Sequence, residues 1–183
     1  MGYVSLTCAV ALCLTFAVSA FSNAKSKAAF VAFASAIRKL PVSRPQWAVP
    51  TAALAITSEM ACIFLVVVPR TRVLGYVAAF MLIAAYTAVI AIALRRGSVG
   101  PCNCFGAGRA RPMSLVDVGR NAFLLVLVGF GLISTVTGFS QHQSVLGMAI
   151  ASAVGILLAG TVVLLDDLTW LFTSPASAGP TRA

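Results

Sequence analysis

The chain has 183 residues, of which 60% are hydrophobic and only 9% are charged, and its mean hydropathy is +1.00. A soluble globular domain carries about a quarter charged residues, so this composition excludes a soluble protein and predicts an integral membrane protein. The formal net charge is +9, and the bases cluster between apolar segments, where they suit anionic lipid head groups rather than nucleic acid.

Five apolar stretches are each about long enough to cross the ~30 Å hydrocarbon core of a bilayer. They lie near Tyr3–Ser22, Trp47–Val68, Val73–Leu94, Leu115–Phe139 and Val145–Leu165. Backbone groups in lipid must be hydrogen-bonded within their own segment, so each stretch is predicted to be a helix. The predicted fold class is an all-α integral membrane helical bundle.

The first apolar stretch ends like a signal peptide, because Val18-Ser19-Ala20 resembles a cleavage site. Signal peptides carry a basic n-region, however, and Met1-Gly2-Tyr3 has no basic side chain. We therefore predict that the first span is retained.

The segment Ser26–Leu40 favours a short amphipathic helix that lies in the membrane interface. Its apolar positions are Phe30, Phe33, Ile37 and Leu40, and its flanking bases are Lys25, Lys27, Arg38 and Lys39. Pro41 and Pro45 end this helix.

Two further patterns predict local structure in the second half of the chain. Ser114 followed by Asp117 is a capping-box pattern, which predicts the start of the fourth spanning helix. The fifth span carries small residues at every fourth position, typical of a close-packing surface for another helix. These residues are Gly147, Ala151, Gly155 and Ala159.

The loop Arg95–Pro112 contains two cysteines one residue apart, Cys102 and Cys104. This spacing puts their Cα atoms near the upper limit of disulfide reach, so a bridge between them would be strained. Strained disulfides are oxidising and exchange readily, and neighbouring arginines favour the thiolate. The pair therefore suits thiol–disulfide exchange.

Two other interpretations of the cysteine pair stay open. The cysteines could simply be reduced loop residues, or they could form half of a soft-metal site. His142 is the only histidine and belongs to a different loop, so we predict no metal site.

Glu59 lies midway through the second span, where an ionisable group is costly and is a functional candidate by default. Beside a redox pair it could handle protons. The alternative is a helix–helix hydrogen bond to a Ser, Thr or Asn side chain, such as Asn121.

Arg120 and Asn121, at the start of the fourth span, are candidates to meet Glu59 or to line the surface on which the loop docks. For Arg120 the alternative is an interfacial side chain that extends to lipid phosphate. The remaining cysteines, Cys8, Cys13 and Cys62, are interpreted as small hydrophobic residues.

Several of these residues together resemble a known family. They are Lys25, Phe30, Phe33, Glu59, Arg96-Gly97, Cys102-Asn103-Cys104-Phe105-Gly106 and Arg120-Asn121. In this order they resemble the methylamine utilisation protein MauE family, which is grouped with DoxX-like membrane proteins. The resemblance implies a four-helix membrane core, from which a fifth, C-terminal transmembrane helix departs.

We divide the chain into a MauE-like transmembrane domain (1–139), an additional transmembrane helix (140–168) and a disordered tail (169–183).

The resemblance also implies a function. Members of the family support disulfide formation in, or maturation of, the methylamine dehydrogenase small subunit, alongside a thioredoxin-like partner. By that likeness Cys102 and Cys104 would be the exchanging pair of a thiol–disulfide oxidoreductase. Glu59, Lys25, Arg120 and Asn121 would belong to a polar core. Electrons would pass to the thioredoxin-like partner, or to a quinone by architectural analogy with quinone-linked disulfide generators.

A second class of function is a non-redox membrane scaffold or small transporter that uses Glu59 and Arg120. For the redox function we predict a multi-pass protein of the plasma membrane with the cysteine loop outside the cytoplasm, since disulfide transfer needs an oxidising compartment. The distribution of bases argues the opposite, because the face that carries this loop holds most of them.

Overall fold

A computed structural model describes residues 2–40, 45–97, 114–137 and 144–173, with the backbone alone for 101–102, 111–112 and 165–173. The α-helices in these ranges are α1 (Tyr3–Ala24), α2 (Lys27–Arg38), α3 (Ala48–Val67), α4 (Arg72–Arg95), α5 (Leu115–Val136) and α6 (Val145–Thr173). A single 3-10 turn, Pro45–Trp47, precedes α3. Two short strands, β1 (Pro101–Cys102) and β2 (Arg111–Pro112), lie between α4 and α5.

Five of these helices, α1, α3, α4, α5 and α6, are long and apolar enough to cross a membrane. The remaining helix, α2, is the predicted amphipathic one, and its buried face includes Phe33, Ala34 and Ile37. The predicted all-α membrane bundle is therefore confirmed.

The spanning helices form a ring of four with one helix outside it. Within the ring, α1 packs against α3 and α5, and α4 packs against the same two helices. The fifth span, α6, packs chiefly against α1 from outside. The ring encloses a core that includes Leu12, Phe16, Val66, Ile83, Leu124 and Val128. The expected four-helix core with an added C-terminal span is thus the observed architecture.

Small residues on α6 let it approach α1 closely, as their spacing predicted. A Cβ atom at Gly147 would lie 2.5 Å from the Tyr3 ring, and one at Gly155 would lie 2.8 Å from the Thr7 carbonyl oxygen. Between these two glycines, the Thr7 hydroxyl donates a hydrogen bond to the Ala151 carbonyl at 3.0 Å. The partner of the small-residue surface is therefore α1.

The hairpin between α3 and α4 is held by side chains that satisfy the last carbonyls of α3. Arg72 is buried and donates from Nε to the Val66 carbonyl at 3.0 Å. Thr71 donates its hydroxyl to the Leu65 carbonyl at 3.0 Å. A cationic side chain at a helix C-terminus also complements the helix dipole. Arg72 therefore binds the C-terminal end of α3 and does not expose its charge to water.

Two element ends differ from the sequence prediction by three residues or more. Helix α5 ends at Val136 instead of Phe139, and residues 138–143 lie outside the described ranges. Helix α6 continues to Thr173, so residues 169–173, assigned above to a disordered tail, are helical. The apolar sequence Leu168-Thr169-Trp170-Leu171-Phe172 contains no helix breaker before Pro175, which explains the extension. Residues 174–183 lie outside the described part of the chain.

Tyr76 of α4 connects opposite sides of the four-helix ring. Its ring is fully buried, and its hydroxyl donates to the Ser5 carbonyl of α1 at 2.9 Å. The aromatic ring of Tyr76 fits because residue 131 of α5 is glycine. A Cβ atom at that position would lie 2.5 Å from the Tyr76 ring.

We expect Gly131→Ala to destabilise the bundle by about 1–3 kcal/mol, because the added methyl group overpacks the site against the Tyr76 ring. Gly129→Ala is the matched control, since a Cβ atom there meets nothing within 4 Å and alanine favours the helix. Unfolding of both purified variants in detergent measures the difference. Equal stability of the two variants would contradict the packing described here.

Candidate functional site

A two-residue antiparallel ladder closes the neck of the cysteine loop. In its register Pro101 pairs with Pro112 and Cys102 pairs with Arg111. The ladder brings the two ends of the loop together just before α5 begins. The side chain of Cys102 and all of Cys104 lie outside the described part of the chain, so the bond between the two cysteines stays a prediction.

Both helices that flank the loop have defined ends. Helix α4 ends at Arg95, and Gly97 follows at φ 65°, a left-handed conformation that favours glycine and commonly stops a helix. Helix α5 begins at Leu115 and is capped by Ser114, whose backbone N–H donates to the Asp117 carboxylate at 2.8 Å. The predicted capping box is confirmed. The loop therefore leaves and re-enters the bundle at fixed points.

Buried polar side chains gather at the loop end of the bundle. Asn23 lies in the last turn of α1, and the other members lie in the first two turns of the neighbouring α5. The set, here called the loop-end polar layer, is Asn23, Asp117, Arg120 and Asn121. The Arg120 side chain is only 5% exposed, which contradicts the interpretation that it extends to the lipid surface. Arg120 and Asn121 are thus placed inside the bundle, directly after the cysteine loop.

Glu59 lies deeper in the bundle, close to the middle of α3, and is only 3% exposed. Its Oε1 atom accepts hydrogen bonds from the Ser19 hydroxyl at 3.0 Å and from the Tyr86 hydroxyl at 3.2 Å. Its Oε2 atom is also buried and has no hydrogen-bond partner among the described residues. One oxygen of the carboxyl group is therefore held by two donors, and the other is available for a proton.

The predicted helix–helix hydrogen bond of Glu59 to a Ser, Thr or Asn side chain is present, but it is made to Ser19 and not to the suggested partner Asn121. Asn121 belongs to α5, which lies across the ring from α3, whereas Ser19 and Tyr86 belong to the neighbours α1 and α4. Sequence analysis missed both donors. A sequence pattern did indicate Ser19, because α1 carries hydroxyl and amide side chains that recur on one buried face. These are Ser5, Thr15, Ser19 and Asn23.

Lys25 does not belong to the buried polar core in which the family resemblance placed it. The side chain is exposed and follows the last turn of α1, in the link to α2. A buried ammonium group would need a partner to offset its lost hydration, whereas the end of a spanning helix leaves it at the water interface.

The three cysteines of the spans are free thiols. Cys8 and Cys62 are buried in the main core, and Cys13 is partly buried against it. Cys62 lies one helical turn from Glu59 on α3. Their packing agrees with their interpretation as small hydrophobic residues.

We predict a direct coupling between Glu59 and Tyr86 in a double-mutant cycle. The combination of Glu59→Leu with Tyr86→Phe should show a coupling energy between about 0.6 and 1.7 kcal/mol, the range for intramembrane hydrogen bonds. Thr87→Val is the control second mutation, because the Thr87 hydroxyl bonds the Ile83 carbonyl of its own helix at 2.7 Å. Unfolding free energies in detergent give both couplings, and equal values would refute the Glu59–Tyr86 bond.

Comparison with known families identifies one match, the family described as methylamine utilisation protein MauE, over residues 1–134. The match covers α1, α3, α4 and α5 up to residue 134, together with the cysteine loop and the loop-end polar layer, and it ends before α6 begins. Comparisons with curated proteins and with solved structures give no match. The chain is therefore a multi-pass membrane protein that belongs to the MauE family.

Proposed function

We propose that this chain is a membrane thiol–disulfide exchange factor that supports the maturation of a client protein outside the cytoplasm. The observation that carries the proposal is the match to the MauE family across the cysteine loop. Through that membership the coarse role is in methylamine utilisation, and the client by resemblance is the methylamine dehydrogenase small subunit. The loop geometry supports the proposal, because the β1–β2 ladder fixes the backbone at Cys102 next to α5.

The exchange step uses the disulfide between Cys102 and Cys104. A client thiolate attacks one loop sulfur, which forms a mixed disulfide and releases the other loop cysteine as thiolate. The second client thiolate then attacks the mixed disulfide, so that the client gains an S–S bond and the loop becomes a dithiol. The two electrons of the client thiols then reside in the loop dithiol, and the two protons that the client thiols lose are taken up by the two loop thiolates. A thioredoxin-like protein in its disulfide form, or a quinone, accepts these electrons and restores the loop disulfide.

Glu59 is proposed to hold and release a proton during this cycle. Ser19 and Tyr86 orient its carboxyl group through Oε1, which leaves Oε2 for the proton. The loop-end polar layer lies between α1 and α5 at the end where the cysteine loop is attached, so Arg120 and Asn121 are proposed to support that loop from below.

Replacing both loop cysteines should abolish client oxidation. We expect the Cys102→Ser/Cys104→Ser variant to leave the client reduced, because no disulfide remains to exchange. Thiol alkylation followed by gel mobility measures the redox state of the client in cells. Cys13→Ala is the control, since it removes a span cysteine and should leave client oxidation unchanged. A fully oxidised client in the double variant would overturn the proposal.

The second candidate is a scaffold or small transporter, favoured by the burial of Glu59 and Arg120 inside a membrane bundle. Glu59→Gln with intact cysteines separates the two functions, because the amide keeps an acceptor for Ser19 and Tyr86 but carries no acidic proton. A transporter would lose activity in this variant while the loop cysteines still cycled between dithiol and disulfide.

The side of the membrane that the loop faces can be read from cysteine labelling. We expect a membrane-impermeant maleimide to label intact cells only after reduction, because the loop is proposed to face outward as a disulfide. The span cysteines are buried or partly buried, and the Cys102→Ser/Cys104→Ser variant gives the background. Labelling that appears only after lysis would place the loop in the cytoplasm.

A further inference from the structure

A groove runs between the first half of α2 and the membrane-facing side of α3, away from the ring interior. Its volume is about 500 Å³, within the range of small-molecule sites. Its lining includes Lys27, Phe30, Val31, Ala53, Ile56 and Thr57. Among the described residues, its lining does not include Glu59.

The two walls of the groove are held in place by packing. On the second half of α2, Phe33 and Ile37 are buried against Ala52 and its neighbours on α3. The next residue of α3, Ala53, lines the groove, where its small side chain leaves space between the two helices. The groove thus lies beside the packed contact between α2 and α3, against which Phe30 and Ile56 also pack.

The interior of the groove is apolar even where a hydroxyl lines it. The Thr57 hydroxyl donates to carbonyls of its own helix, at 3.0 Å to Ala53 and 3.1 Å to Leu54. It therefore needs no partner from a ligand. Phe30, Val31 and Ile56 supply hydrocarbon surface that a flexible apolar chain could cover.

The mouth of the groove is positively charged. Lys27 lines the groove and is exposed. Lys25 is also exposed and lies two residues earlier, in the link between α1 and α2. The sequence from residue 24 to residue 44 contains five basic residues and no acidic residue, so no side chain of this segment neutralises them. Two exposed ammonium groups next to an apolar groove match a molecule with an anionic head and a hydrocarbon tail.

We propose that this groove binds one anionic phospholipid of the surrounding bilayer. The phosphate lies against Lys25 and Lys27, and one acyl chain follows Phe30, Ala53 and Ile56. The bound lipid fills the space beneath α2 and fastens this interfacial helix to the bundle. This inference does not depend on the redox proposal, since no residue of the groove takes part in that chemistry.

Native mass spectrometry of the full chain in detergent, titrated with phosphatidylglycerol or phosphatidylcholine, tests the proposal. We expect one phosphatidylglycerol to bind in preference to phosphatidylcholine. Lys25→Gln/Lys27→Gln should weaken this binding by about fivefold for each lysine removed. Arg38→Gln/Lys39→Gln removes the same charge from the other end of α2 and should have little effect. Equal loss of phosphatidylglycerol binding in the two variants would show that binding depends on overall charge and not on this groove, and it would overturn the proposal.

A second pair of variants tests the channel independently of charge. Ala53→Trp fills the groove and should abolish phosphatidylglycerol binding. Leu54→Trp places the same ring on the neighbouring residue, which is 68% exposed and lies outside the groove lining, so binding should persist. Unchanged binding in Ala53→Trp, or equal affinity for the two lipids in the unmodified chain, would overturn the proposal. Should Ala53→Trp not fold, the comparison of the charge variants decides alone.

Discussion

A carboxyl group buried in a membrane bundle must find its hydrogen-bond donors inside the protein, and Glu59 shows how this constraint organises the ring. No bulk water reaches the hydrocarbon core, so an unsatisfied polar group there costs several kcal/mol. Ser19 and Tyr86 supply the donors from the two helices that flank α3. One side chain thereby joins three of the four ring helices, and the deep polar position is part of the architecture as well as a candidate for chemistry.

Close approach between helices supplies much of the remaining specificity. Lipid tails are as apolar as leucine, so helix association in a bilayer depends on van der Waals packing and on small residues at the contacts. Gly131 accommodates the ring of Tyr76, and Gly147 accommodates that of Tyr3. The first contact belongs to the part of the chain that matches the family, whereas the second attaches the additional helix α6 to α1. The same device thus builds the shared core and the extension beyond it.

The basic residues serve different purposes according to where the fold places them. Arg72 caps α3 and Arg120 is buried in the loop-end polar layer, so neither presents its charge to water. Lys25 and Lys27, in contrast, stay exposed where α1 ends. A count of bases that ignores burial therefore includes one buried arginine on each face of the membrane, Arg72 at the hairpin and Arg120 at the cysteine loop. Without these two, the face of the cysteine loop still carries more basic residues than the opposite face. The positive-inside rule and the requirement of disulfide chemistry for an oxidising compartment therefore still oppose each other for this loop.

The sequence by itself determined which segments span the membrane, where α5 begins, and that α6 carries a packing surface. These features depend on hydrophobic length, a capping pair and a spacing of four residues, which are all local along the chain. It also placed Glu59 in a span and the cysteine pair in a loop. Only the tertiary structure decided that Glu59 bonds Ser19 and Tyr86 rather than Asn121, and that Lys25 is outside the polar core. Those outcomes depend on which helices are neighbours in the ring and which side chains face inward, and that arrangement arises from contacts between residues far apart in sequence.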